Sequence, residues 1–221
     1  MIFQDLERHE IEGLGRFYKS PITSKWYPSI TTITGHKKAE FFANWRKNPE
    51  NEQSMKFSAE LGTNVHTIIE KYLNKDPTWN SSSMLYEKLM VNQVIPELDK
   101  IENIVVQEKS LWSDSARIAG RVDCIGVYEG KLSVIDFKTS KKPKNEEHIT
   151  NYFEQAAGYS LMYEELTSTR IDDIIILMTC HTGDVQVFRR KTKQYISSLC
   201  DTIKSYWKIY NFEQIQEVVG Q

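Results

Sequence analysis

Residues 120–140, GRVDCIGVYEGKLSVIDFKTS, carry two aspartates and a lysine spaced for chemistry on a β-hairpin. Taking Glu129-Gly130 as a two-residue turn pairs Tyr128 with Lys131, and five steps further out the same register sets Asp123 opposite Asp136. Facing residues on antiparallel strands hold their Cβ atoms about 4.5–5.5 Å apart, so two like charges there repel unless something compensates them. Side chains alternate along a strand, which puts Lys138 on the face of Asp136 and turns Ile135 and Phe137 to the other. Two anions and a cation converging in this way suit a hard divalent ion, Mg2+ or Mn2+, with open positions for water and phosphate oxygens. The chemistry that follows is metal-assisted hydrolysis, with Lys138 beside the attacking water. A carboxylate–lysine network on a solvated strand face is the plainer alternative. It is disfavoured because aspartate is a poor resident of strand interiors.

A second set lies upstream in GTNVHTIIE, where Gly62, His66 and Glu70 recur every four residues and share one helix face. A lone histidine on such a face is more often a packed core residue than a ligand; in the company of two aspartates it becomes a candidate metal ligand. Glu108, in the strand before Asp123, reads by itself as an exposed strand carboxylate. Gln155 and Tyr159, one helical turn apart, read by themselves as ordinary helix surface and a core tyrosine.

Periodicity supplies the elements that must position these residues. Residues 1–28 mix aromatic and turn-forming types and read as a hairpin or extended arm. SITTIT opens a helix at Ser29 that continues through AEFFANWRKN and stops near Pro49. A second helix runs to about Lys75, with Val65, Ile68, Ile69, Tyr72 and Leu73 forming an apolar stripe, and a third runs from Met84 to Asp99, interrupted by Pro96. Three strands follow in IVVQEKSLW, RIAGRVDCIGVY and KLSVIDFKT, then a helix across EEHITNYFEQAAGYSLMYEEL, two strands in DDIIILMTCH and DVQVFRR, and a closing helix from Thr192 to Asn211. This order is α/β in the broad sense, an α+β mixed sheet flanked by helices. The chain reads as one domain, with an arm at 1–28, a helical portion at 29–101 and a sheet core at 102–221.

With 221 residues, 40% hydrophobic and 26% charged, the chain has enough apolar content for a full core, which excludes a disordered chain. Basic residues number 28 and acidic 30, so contact with a polyanion must come from a local patch and not from a global field. No run of eighteen apolar residues occurs, and the start MIFQDLERHE shows neither a signal nor a transit pattern, so a cytoplasmic protein with no membrane partner is expected. Cys124, Cys180 and Cys200 are too few and too scattered for a cysteine-ligated iron–sulfur cluster, a zinc ribbon or a disulfide framework.

Together GxxxHxxxE (Gly62, His66, Glu70), GxxD (Gly120, Asp123), DxK (Asp136, Lys138) and QxxxY (Gln155, Tyr159), in that order, resemble the RecB-type branch of the PD-(D/E)xK nuclease superfamily. Residues 120–144, with YPSITTI upstream, are similar to the mitochondrial genome maintenance exonucleases and their phage and bacterial relatives. The resemblance implies a restriction-endonuclease-like core in which His66, Asp123, Asp136 and the backbone carbonyl of Phe137 ligate the metal. It implies that Lys138 orients the water, that Glu70 supports His66 or a bound water, that Gln155 and Tyr159 face the active site, and that Glu108 matches an acidic position able to bind a second metal or a water. The activity implied is that of a DNA exonuclease with one or two Mg2+ or Mn2+ ions, acting on single-stranded ends or flaps and leaving 5′-phosphates, in repair, recombination or replication. A duplex-resecting exonuclease, a structure-specific endonuclease and an inactive DNA-binding module on the same core are the alternatives.

For substrate handling, Ser29, Thr31 and Thr32 offer hydroxyls and helix N–H groups to a phosphate, or simply cap a helix. Lys141, Lys142 and Lys144 are expected to crowd the cleft rim, with Lys37 and Lys38 adding to them. Trp26 and Tyr27, in the arm, are expected to be exposed and to stack on unpaired bases, ahead of Phe41, Phe42 and Trp45. Arg189, Arg190, Lys191 and Lys193 form a second basic run with no assigned role.

Overall fold

The computed structural model describes residues 3–38, 41, 44–45, 47–81 and 84–220. The helices bounded among the described residues are α1 (Ile30–Gly35), α2 (Pro49–Leu73), α3 (Leu85–Leu98), α4 (Thr150–Thr167), α5 (Ile196–Ile209) and α6 (Phe212–Val219). Strands β1 (Arg8–Ile11), β2 (Gly15–Lys19) and β3 (Trp26–Pro28) form a small antiparallel meander. Strands β4 (Ile101–Ser113), β5 (Ile118–Tyr128), β6 (Lys131–Ser140), β7 (Asp173–Cys180) and β8 (Val185–Lys191) make the main sheet in that spatial order. All its pairings are antiparallel except β6 with β7, whose parallel register needs a crossover, and α4 supplies it. The mixed sheet flanked by helices is the architecture expected.

The two-residue period of the strands divides the core. Val134, Ile174, Ile176 and Met178 pack with Ile30, Phe153 and Leu199 from α1, α4 and α5. Ile135, Phe137, Ile175 and Leu177 pack on the opposite face with Val65, Ile68, Met90 and Val94 from α2 and α3. The apolar stripe of α2 is therefore what seats His66, on the same helix, against the end of β6.

The expected hairpin in residues 1–28 forms, as β2 paired with β3. It is packed instead of exposed, because Phe17, Trp26 and Tyr27 find apolar partners, including Ile215 and Val219 of α6. The helix opened at Ser29 ends at Gly35, residues 41, 44 and 45 are again helical, and Pro49 stands at the start of α2. Asn48 caps α2 through its side chain, which accepts from Glu50 N at 3.0 Å, and a proline in the first turn lacks only an N–H that would be unbonded anyway. Much of AEFFANWRKN lies outside the described residues. Finally, the closing helix breaks at Tyr210, and Asn211 caps the additional α6. Among the described residues no helix is long and apolar enough to cross a membrane.

Candidate active site

The hairpin that carries the acids forms in the expected register. Glu129 (φ 48°) and Gly130 (φ 81°) both adopt left-handed backbone, the combination that suits a two-residue turn to the strand twist. Tyr128 pairs with Lys131, and the ladder continues to Cys124 with Ile135. At the next step a side chain replaces the backbone partner: Asp123 Oδ2 accepts the Phe137 N–H at 2.8 Å. Asp136 is buried, with Oδ1 accepting from Gln155 Nε2 at 2.9 Å and Oδ2 lying 2.6 Å from Lys138 Nζ. That last contact is a short buried ion pair, which takes up Oδ2. Lys138 Nζ also sits 5.1 Å over the Tyr152 ring.

Glu108 and Asp123 face each other between the pairs Gln107–Cys124 and Lys109–Val122. Strand alternation fails here: Val122 and Ile125 pack in one layer while Cys124 packs in the other. Glu108 has φ 49°, a left-handed conformation that costs a β-carbon-bearing residue about 1 kcal/mol or more. The distortion turns both carboxylates to one place, where His66 meets them. His66 Nδ1 is 3.6 Å from Asp123 Oδ1 and 3.9 Å from Glu108 Oε1, and one donor atom from each of the three residues lies within 4.8 Å of the others. His66 Nε2 donates to the Phe137 carbonyl at 2.9 Å, so in the neutral ring Nδ1 presents its lone pair to the acids.

The structure gathers His66, Glu108 and Asp123 in one donor group. Of the other expected ligands, Asp136 contacts Gln155 and Lys138, and the Phe137 carbonyl accepts from His66. Burial, and then the neighbouring Asp123, push the Glu108 carboxyl up to about 8. Burial also raises Asp136, against the pull of Lys138. Burial alone would lower the Lys138 ammonium, but Asp136 and Asp123 hold its pKa above the usual value, so it stays charged. Crowded carboxyls that oppose each other's ionisation and an imidazole lone pair beside them fit a hard divalent cation.

His66, Glu108, Asp123 and Lys138 line an open cavity of about 410 Å³, with Asp136 buried behind it. One wall is α2, with Ser58, Gly62, His66 and Glu70; the other carries Arg8, Arg16, Ser29, Thr31 and Arg121, and Lys138, Gln155 and Tyr159 also line it. Ser29 and Thr31 reach the cavity, while Thr32 Oγ1 accepts the Arg16 N–H at 3.1 Å instead. Ser29 Oγ meanwhile caps α1 by accepting from Thr32 N at 3.0 Å. Lys141, Lys142 and Lys144 do not line the cavity: Lys141 donates to Ser54, Lys144 to Tyr152, and Lys142 is exposed. Lys37 and Lys38 border a separate depression with Glu147 and His148. Trp26 and Tyr27 are buried in β3 and present no face to a base; Trp26 stacks on His9 at 4.4 Å. Phe41 and Trp45 are exposed, and Phe42 lies outside the described residues. Arg189, Arg190 and Lys191 pair with Glu129, Glu146 and Asp173, so that run is largely neutralised. The arginines at the cavity, Arg8, Arg16 and Arg121, were not singled out by any sequence motif.

Gly120 is needed for close approach. A Cβ there would lie 2.9 Å from Tyr159 Cε1, and the Tyr159 hydroxyl donates to the Arg121 carbonyl at 2.6 Å beside the site. Gly120→Ala is expected to displace the ring and destabilise the fold by about 1–3 kcal/mol in denaturant unfolding. An unchanged midpoint would show that the ring yields freely.

Comparison with known proteins gives this geometry a family. A family model described as the PD-(D/E)XK nuclease superfamily matches residues 38–205. Mitochondrial genome maintenance exonuclease 1 of Mus musculus is 26% identical over 137 residues, and that of Homo sapiens 27% over 138. Each alignment covers 57% of this chain and 40% of the relative, so the match spans well under half the length of either curated protein. The solved structure of a presumptive exonuclease from Eubacterium rectale superposes with a TM-score of 0.51 at 9% identity, covering 72% of this chain and 68% of that one, a likeness of fold. The family match covers most of the chain, including the helix bearing His66 and the strands bearing the acids, and the chain belongs to the PD-(D/E)XK nuclease superfamily.

Proposed function

We propose that this chain is a divalent-cation-dependent deoxyribonuclease that removes nucleotides from DNA ends, residues 1–221 acting as one nuclease domain. The observation that carries the reading is the convergence of His66, Glu108 and Asp123 beside a charged Lys138, in a cleft whose other wall bears arginines. His66, Glu108 and Asp123 would hold the cation, Mg2+ or Mn2+, which when bound supplies an acidified water and neutralises charge building on the scissile phosphate. Asp136 and Gln155 fix the direction of Lys138, whose ammonium stands where it can hold the attacking water and share the developing charge. Glu70, lining the same cavity, supports His66 or a bound water, and Tyr159 steadies the backbone of Arg121. Ser29, Thr31, Arg8 and Arg16 take backbone phosphates, a contact that positions a strand without reading its sequence. The names of the curated relatives favour exonuclease action. The similarity of residues 120–144 to that group favours single-stranded ends or flaps and 5′-phosphate products.

The test is a product ladder from end-labelled single-stranded, blunt duplex and flap DNA, and a matched RNA, with Mg2+, Mn2+ or EDTA. Stepwise shortening of the single strand with either ion, and none in EDTA, is expected. Preferred cutting of the blunt duplex, or discrete internal cuts, would replace this reading with the duplex-resecting or structure-specific one. Binding without cleavage under every cation would make the chain a DNA-binding module.

A further inference from the structure

Arg121 stands between Gly120 and Asp123 on β5, and both the proposed cation site and the cleft meet at its side chain. Its Nε donates to the Glu108 carbonyl at 3.0 Å and lies 2.8 Å from Glu108 Oε2. One guanidinium thus grips Glu108 by backbone and carboxylate together, at the residue whose left-handed φ of 49° needs a compensating interaction. The Glu108 side chain is 14% exposed and the Arg121 side chain 46% exposed, so the pair has a buried acid and an arginine open to the cavity. The same carboxyl belongs to the three-residue donor group with His66 and Asp123. A carboxylate cannot give its full charge to a cation and to a guanidinium at once, and a phosphate competes well for a planar fork of donors.

We propose that Arg121 is a positioning residue that couples strand binding to the cation site. In the free protein it holds Glu108, and a phosphate of the incoming strand draws the guanidinium into the cleft and leaves the carboxylate to the ion. The proposal rests on the nuclease reading above and adds a reciprocal linkage: DNA strengthens cation binding, and the cation strengthens DNA binding, by the same factor.

The test uses full-length Arg121→Gln and Arg121→Lys, with Mn2+ and a single-stranded oligonucleotide as probes. In the free protein, Arg121→Gln is expected to bind Mn2+ about two- to fivefold more tightly, because a competing cation is removed from a partly exposed pair. Its oligonucleotide affinity in EDTA is expected to fall, and the slope of log affinity against log salt to drop by about 0.7, one phosphate contact on a single strand. Arg121→Lys keeps the charge and loses the fork, so it retains the salt slope while its Mn2+ affinity moves toward that of Arg121→Gln; it also serves if Arg121→Gln fails to fold. In a Lys138→Ala background, where the strand is not expected to be cut, the oligonucleotide enhances Mn2+ binding, and adding Arg121→Gln diminishes the enhancement. Wild-type Mn2+ affinity, an unchanged salt slope or an undiminished enhancement in Arg121→Gln would each overturn the proposal. Failure of the nuclease reading looks different: the wild-type chain would then bind no Mn2+ at this site.

Discussion

Asp123→Asn is expected to abolish hydrolysis, by at least about a thousandfold, or roughly 4 kcal/mol of transition-state stabilisation. Asp123 does two things at once: Oδ1 stands 3.6 Å from His66 Nδ1, and Oδ2 accepts the Phe137 N–H. Asparagine keeps an acceptor for that N–H, so the hairpin is expected to survive, but it withdraws an anionic oxygen from the donor set. It also relieves the repulsion that helps push up the Glu108 carboxyl. The cation-free variant should therefore unfold at the same temperature as the parent or a higher one, while the rise in melting temperature that Mn2+ gives the parent should vanish. A merely structural aspartate would behave in the opposite way, losing stability without cation and keeping its response to Mn2+. Thermal melts in EDTA and in Mn2+, with cleavage assays alongside, decide between the two.

The sequence made the chemistry of the hairpin legible because three short-range rules act there together. A two-residue turn sets the register, alternation sets the face, and acids in strands need a reason. Asp123, Asp136 and Lys138 lie in one cluster next to His66, although alternation breaks beside Asp123 and its side chain takes the Phe137 N–H where the ladder stops. The role of Glu108 was not legible to the same degree. Its approach to Asp123 and His66 accompanies a left-handed φ in the middle of β4, which glutamate does not advertise and beside which Arg121 donates to the Glu108 carbonyl. The arginines were hidden for another reason. Arg8 and Arg16 reach the cleft only because β1 and β2 fold into a sheet beside the active site, and short strands rich in polar residues carry little periodicity. Lysine-rich residues 141–144 were the visible basic run, yet Lys141 and Lys144 are engaged with Ser54 and Tyr152. Trp26 and Tyr27 show the converse error, since aromatic residues flanked by turn formers read as an exposed loop until α6 is known to cover them.

Lys138→Ala is expected to slow hydrolysis by about 10²–10⁴-fold, the usual worth of a group that positions or shares a proton in the transition state. Mn2+ binding should persist, because Lys138 belongs to none of the His66, Glu108 and Asp123 contacts. Folding needs a separate control. Lys138 and Asp136 are buried together, and removing the ammonium leaves a carboxylate with Gln155 as its remaining hydrogen-bond partner. A broken buried pair costs about 3–5 kcal/mol when the orphaned charge cannot be neutralised. Burial already raises the Asp136 pKa, so the carboxyl is predisposed to take up a proton once Lys138 is gone, and the loss should fall below that range. The double variant Asp136→Asn/Lys138→Met removes both charges and keeps much of the volume. It should be more stable than the sum of the two single losses, by a coupling of about 1–3 kcal/mol, and still be inactive. Stability that merely adds across the two changes would dissolve the pair as a unit. Cleavage retained at parental rate in folded Lys138→Ala would take the lysine out of the reaction.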